Sequence, residues 1–237
     1  MLPFQIKICG ITSVQDALGV CQSHADAVGL NFYSPSSRYV DPSKANKIAD
    51  AIRDANPSMK VVGVFVNMAL AEIVDIAKAV GLDGIQLHGD EQPDCVNKLR
   101  SLINAAELEL KLGIIRAIRV NHASSSGVGH YGVDEVARIK AEIERWASVG
   151  IDAVLLDAAV PGEFGGTGKV VDWAAVPQLN CTIPLVLAGG LKPDNVRSAI
   201  GIAKVQSVDV ASGVEASPGV KDMGMVKRFA EEAASAF

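Results

Sequence analysis

A chain of 237 residues that is 49% hydrophobic and 21% charged has ample material for a folded core, and fits one large α/β barrel or two smaller domains. Its formal net charge of −5 argues against nucleic acid or an anionic membrane as the main partner, yet leaves room for a small anionic substrate held by local cations and backbone amides. The four cysteines (Cys9, Cys21, Cys95 and Cys181) stand far apart with no C-x-x-C pair, a spacing that suits neither zinc, dithiol redox chemistry nor a secreted disulfide framework. No signal-like opening and no apolar run of membrane-spanning length is present, which predicts a reduced, cytoplasmic protein.

The first predicted strand is Phe4–Cys9, which stops on Gly10. Alternation puts Lys7 and Cys9 on one face and Ile6 and Ile8 on the other. A charge and a thiol on one face beside a loop make a poor core and a reasonable reaction centre. Further strands are predicted at Ala27–Phe32, Lys60–Val66, Gly84–Leu87, Ile114–Val120, Ala153–Asp157, Pro184–Leu187 and Val205–Val210. Most are continuous apolar runs, the pattern of parallel strands covered on both faces. Capping signals predict the helices between them. Thr12 or Ser13 precedes Val14–Ser23, Asp41-Pro42 precedes Ser43–Ala55, and Asn67 precedes Ala69–Val80. Lys192-Pro193-Asp194 opens Asn195–Ile200. The Ser- and Gly-rich stretch 123–129 predicts a flexible loop after the fifth strand, and a helical run Val133–Trp146 behind it makes this an extended connection. Eight strand-helix units in this length predict a single (β/α)8 TIM barrel over residues 1–237. The rival doubly wound sheet lacks its G-x-G-x-x-G fingerprint, because Gly10 is followed by Ile11-Thr12.

Such barrels hold their active sites at the carboxyl ends of the strands. There this chain places Cys9, the Ser34–Tyr39 loop with Arg38, Gln86 and His88, Asp157, and then the Gly165–Lys169 loop. The last two strands end in Gly189-Gly190 and in Ser212-Gly213. Either glycine pair alone reads as a tight turn. At strands seven and eight together they predict a phosphate site, where backbone N–H groups approach oxygen closely. Asp157 ends an apolar strand and is costly to bury unless paired or used. Arg38 is either a solvated charge or a fork for a carboxylate. Gln86 and His88 either satisfy loop backbone or touch substrate. Asp209 either pairs with Lys7 inside the barrel or contacts a substrate hydroxyl. Cys9 taken alone is more ordinary as a small buried hydrophobe.

In order and spacing, Lys7–Thr12, Asp26–Leu30, Ser37–Tyr39, Gly63–Asn67, Gln86–Gly89, Leu155–Asp157, Gly165–Lys169, Gly189–Leu191 and Ser212–Glu215 closely resemble phosphoribosylanthranilate isomerase, the (β/α)8 family of tryptophan biosynthesis. The resemblance covers nearly the whole chain. Its departures are alanine at Ala188 and Ala211, where serine is frequent, and an enlarged region from about His122 to Gly150. It implies a cofactor-free Amadori rearrangement of N-(5′-phosphoribosyl)anthranilate to 1-(2-carboxyphenylamino)-1-deoxyribulose 5-phosphate. By resemblance Asp157 is the acid, Cys9 the base, Arg38 the anchor for the anthranilate carboxylate, and the glycine loops the phosphate site. An aspartic acid needs desolvation to donate a proton at neutral pH. A free thiol gains from a nearby cation, for which Lys7 is the local candidate. Monomer and homodimer are both left open. Among rivals, an indole-glycerol-phosphate synthase would display lysine and glutamate at the strand ends, and a thiamin-phosphate synthase metal-binding acids. A barrel that merely binds sugar phosphate has no need of Cys9 and Asp157.

Overall fold

The computed structural model describes residues 4–106, 112–121, 133–159 and 171–237. Eight parallel strands close in chain order into a barrel: β1 (Ile6–Cys9), β2 (Ala27–Asn31), β3 (Lys60–Phe65), β4 (Gly84–Leu87), β5 (Gly113–Asn121), β6 (Ala153–Ala159), β7 (Leu185–Leu187) and β8 (Ser207–Val210). Closure is set at β1, where Lys7 stands level with Ala27 of β2 on one side and Asp209 of β8 on the other. Outside lie α1 (Val14–Cys21), α2 (Pro42–Ala55), α3 (Leu70–Val80), α4 (Asp94–Ala105), α5 (Val133–Ala147), α6 (Val196–Ala203) and α7 (Met223–Ala234). A short antiparallel hairpin, β9 (Glu215–Ser217) and β10 (Val220–Lys221), follows β8.

Local chemistry accounts for most helix ends. The Ser13 hydroxyl accepts from the Asp16 N–H, and Asp41 accepts from the Lys44 N–H with Pro42 in the first turn. α3 stops at Gly81, whose φ of +67° is the left-handed conformation a glycine adopts without penalty. Asn67 does not cap α3 as its sequence position suggests. Ala69 stands at the cap without a side-chain bond, while Asn67 turns left-handed at φ +53° and trades hydrogen bonds with Asp90. Its side chain joins two strand-end loops instead of starting a helix. The helical layer departs from expectation after β6, where the described residues form a 3-10 helix, Trp173–Leu179, in place of an α-helix. Pro177 inside it has no N–H to give an α-helical ladder. β6 also runs two residues beyond Asp157, paired to β5 with Arg119 level with Asp157. The predicted loops at 123–129 and 165–169 lie outside the described residues.

Strand alternation sorts the apolar residues into two cores. One fills the barrel with Phe4, Val62, Ile115, Leu155 and Val186 among small residues such as Ala27, Ala117 and Ala153. The other lies between strands and helices, where Ile8, Leu30, Ile85, Leu156 and Val208 meet Ile48, Ile73, Ile139 and Phe229. Each such buried aliphatic side chain contributes roughly 1.5–3 kcal/mol of transfer free energy. The inward face turns polar toward the carboxyl ends, where Lys7, Gln86, Asp157 and Asp209 are buried.

Candidate active site

β1 ends against its neighbours with no room to spare. Gly10 adopts φ +77°, and a Cβ there would lie 2.5 Å from Cδ of Arg38. A Cβ on Gly29 of β2 would lie 2.5 Å from the Cys9 sulfur. The thiol therefore rests on the bare backbone of β2, and the stem of Arg38 rests on that of Gly10.

The strand ends open into one cleft. Cys9, Arg38, Gln86, His88, Asp157 and Asp209 all line it, and so do Gly189, Gly190, Ser212 and Gly213. Cys9 keeps 9% of its surface exposed, and Asp157 keeps 7%.

Three ionic groups surround the cleft. Beneath Cys9, the fully buried Lys7 ammonium lies 2.8 Å from Asp209. Burial pulls the Lys7 pKa down, but the charges of Asp209 and Cys9 outweigh it and leave the group raised, hence protonated. Asp209 also lines the cleft, so it serves the Lys7 pair without being lost to a ligand. Burial pushes the Cys9 thiol up; Lys7 opposes this, Asp209 adds to it, and Lys221 opposes it again, with a raised pKa as the outcome.

Across the mouth, Gln86 Nε2 lies 2.8 Å from His88 Nδ1, and His88 Nε2 lies 3.3 Å from Asp157 Oδ2. The Gln86 amide on Nδ1 turns the other ring nitrogen, Nε2, toward the Asp157 carboxyl group. The His88 loop is itself held from outside the barrel. Arg116 of β5 pairs with Glu91 at 2.6 Å, donates to the Gly89 carbonyl at 3.0 Å, and stacks 4.6 Å from the Trp146 ring centre. Glu91 in turn accepts from the N–H groups of Gly89 and Asn67.

The third group is formed by Arg38, Glu215 and Lys221. Arg38 donates to both Glu215 oxygens, at 2.7 and 2.8 Å, and Lys221 Nζ reaches the same Oε1 at 2.9 Å. Burial raises the Glu215 carboxyl, but hydrogen bonds from Arg38 and Lys221, together with their charges, hold it below the usual carboxylate range. Two of the five guanidinium N–H groups are thereby used, and among the described residues Nη1 has no partner and remains for a ligand. Nothing in the local sequence marks Glu215 and Lys221 as neighbours of Arg38, since Glu215 lies 177 residues away from it.

On the remaining side Gly189 and Gly190 are left-handed at φ +76° and +68°, and Asn195 pins the turn by donating to the Gly190 carbonyl. Gly189 is packed so closely that a Cβ would lie 2.5 Å from the Ala158 nitrogen and 3.0 Å from Asp157 Oδ1. At Gly213 a Cβ would lie 1.8 Å from the Leu191 carbonyl oxygen, so the turns after β7 and β8 touch. Among the described residues no three His, Cys, Asp or Glu side chains converge as a metal site.

Fold and cleft together define a class: a (β/α)8-barrel enzyme with a thiol and a carboxyl group at one mouth beside paired glycine turns. Residues 6–232 match the family model described as N-(5'phosphoribosyl)anthranilate (PRA) isomerase. The N-(5'-phosphoribosyl)anthranilate isomerase of Thermotoga neapolitana is 40% identical over 230 residues, which span 97% of this chain and 98% of that protein. The corresponding Pseudomonas aeruginosa protein is 41% identical over 228 residues, 96% of this chain and 93% of that protein. Among solved structures, phosphoribosyl anthranilate isomerase from Thermotoga maritima superposes with a TM-score of 0.78 at 35% identity, covering 98% of this chain and 99% of that one. A phosphoribosyl anthranilate isomerase in complex with reduced 1-(o-carboxyphenylamino)-1-deoxyribulose 5-phosphate superposes at 0.75 with 33% identity, again over 98% and 99% of the two chains. The chain belongs to the phosphoribosylanthranilate isomerase family, and its reaction is that isomerisation in tryptophan biosynthesis.

Proposed function

We propose that the cleft performs this Amadori rearrangement by general acid-base catalysis, with Asp157 as acid and Cys9 as base. Asp157 gives its proton to the furanose ring oxygen as the C1–O bond breaks and the anilino nitrogen lone pair forms a C=N bond. The Cys9 thiolate then takes the C2 proton, and the released electron pair forms C1=C2 while the C=N pair returns to nitrogen. The resulting enolamine gains a proton at C1 and loses one from its C2 hydroxyl, which yields the ketone. Protons move and one C–O bond breaks; no electron carrier enters the balance.

Arg38 holds the anthranilate carboxylate through Nη1, and the turns at Gly189-Gly190 and Ser212-Gly213 hold the phosphate. Gln86 and His88 keep Asp157 oriented, and Asp209 is within the cleft for a ribose hydroxyl. A substrate fixed at both ends holds its reacting carbons between two proton-transfer groups, so positioning carries much of the rate enhancement. The observation that supports this reading is that Cys9 and Asp157 line one cleft, with Gly189 packed directly against the carboxylate. The ligand named in the related complex carries both a carboxylate and a phosphate, as these two anchors require. A cytoplasmic setting accords with the four free cysteines. The working unit is taken as a monomer or homodimer, since a Thermotoga maritima relative is described as dimeric.

The test is to follow loss of anthranilate fluorescence on mixing the protein with freshly prepared phosphoribosylanthranilate. Cys9→Ala and Asp157→Asn are expected to abolish turnover yet still bind a reduced product analogue, whereas Arg38→Ala mainly raises KM. Turnover that survives in either of the first two variants would remove the mechanism.

A further inference from the structure

We propose that Lys221, delivered by the β9–β10 hairpin, is a positioning residue for Cys9: its buried ammonium is the unbalanced charge, among the described residues, of the ionic cluster around the thiol. The inference rests on the reading of Cys9 as the base.

The hairpin is seated firmly against the first two strand-end loops. The Thr12 hydroxyl, just past β1, donates to the Gly219 carbonyl at 2.6 Å. Gly219 is left-handed at φ +82°, and a Cβ there would lie 2.7 Å from the carbonyl oxygen of Ser37, the residue before Arg38. This seat leaves the Lys221 side chain with no solvent exposure. Among the described residues its nitrogen has two partners, the Ala211 carbonyl at 3.0 Å and Glu215 Oε1 at 2.9 Å. An ammonium carries three protons, so one is left over.

The charges facing Cys9 then sum simply. From its own strand comes Lys7, and from β8 Asp209, a pair of zero formal charge at 2.8 Å in which Lys7 acts on the thiol the more strongly. From the loop after β2 comes Arg38, and from β9 Glu215; these cancel through two hydrogen bonds. Among the described residues the Lys221 ammonium has no carboxylate partner besides Glu215, which leaves these five side chains at a formal +1; Asp16 meets only the Lys221 backbone N–H, at 3.5 Å. Asp157, with His88, faces the cluster from the far wall of the same cleft. Burying an unmatched ammonium is costly unless an anion forms beside it. The group at this end of the cleft that becomes an anion is the Cys9 thiol, because Ala211, whose carbonyl holds the Lys221 ammonium, lines the cleft with Cys9. Lys221 draws the thiol down; burial lowers the lysine, and Glu215 and then Cys9 draw it back up. Lys7, the cation nearest in sequence, draws the thiol down most strongly and is opposed by its own partner Asp209; Lys221 adds to the cationic side from β10. Lys221 works against the burial that raises the thiol, from a position outside the residues that line the cleft.

The experiment reads the Cys9 titration directly. Iodoacetamide alkylation of Cys9 is followed against pH by peptide mass spectrometry on the full chain, in the natural protein and in Lys221→Met, Lys221→Arg and Glu215→Gln, alongside kcat/KM profiles. Lys221→Met is expected to move the alkylation midpoint up by about one pH unit, hence to cut the thiolate fraction and kcat/KM about tenfold at neutral pH with little change in KM. Lys221→Arg restores most of both. Glu215→Gln removes the balancing carboxylate, raises the cluster charge to +2, and moves the midpoint the other way. A midpoint that stays put in Lys221→Met, or one that rises in Glu215→Gln, overturns the proposal, and the second variant decides if the first does not fold. Should Cys9→Ala retain turnover while these shifts appear, it is the catalytic reading that fails and not the electrostatic one.

Discussion

The closest steric constraint on a reacting atom falls on a residue with no side chain. Gly29 lies beneath the Cys9 sulfur, and a methyl group there has to displace the thiol, because the Cys9 Cα is itself only 3.0 Å from the added carbon. Gly29→Ala is therefore expected to lower kcat by about a hundredfold, the scale of loss that accompanies a misplacement near 1 Å, and to leave the circular-dichroism spectrum unchanged. Full activity in this variant would show that the sulfur position is not critical. Residues of this kind are hard to read in a sequence. Gly29 looks like any small residue inside a buried strand, and its importance exists only because β2 pairs with β1 at that level. Arg116 is similar. It sits in an apolar strand, and its partners Glu91 and Trp146 come from two different connections.

Elements were legible in proportion to how local their causes are. The starts of α1 and α2 follow from Ser13 and Asp41, whose caps act over three residues. The Asn67 cap fails because its side chain bonds to Asp90, 23 residues on. The hairpin after β8 carried no signal strong enough to predict, since strands of three and two residues are too short for periodicity. The turn after β8 is tied to that after β7 by contact at Gly213, where a Cβ would collide with the Leu191 backbone. Gly213→Ala must push these two turns apart. KM for phosphorylated substrate is expected to rise at least tenfold, with a smaller change in kcat, as steady-state kinetics would reveal. An unaltered KM would separate the turns from phosphate binding.

At the level of the whole molecule, closure of the barrel turns distant segments into one ionic cluster, and this ties stability to pH. Glu215 is held below its ordinary carboxylate range despite its burial, by Arg38 and Lys221. A depressed carboxyl stabilises the fold above its unfolded pKa, about 4.3, and that contribution is lost as pH falls through the lower folded value. Urea midpoints of the natural protein and Glu215→Gln should thus differ most near neutrality and converge as pH falls below about 4. Parallel curves would mean that Glu215 contributes nothing through its charge. The sequence by itself determined the barrel, the order of its strands, and which chemical groups stand at the strand ends. Strand alternation, capping and turn chemistry act within a few residues and are written in the local pattern. Only the tertiary structure decided which charges meet: Lys7 with Asp209, Arg38 with Glu215 and Lys221, His88 with Asp157. These pairings depend on closure and on register, where a shift of one residue would turn Lys7, Asp157 and Asp209 outward.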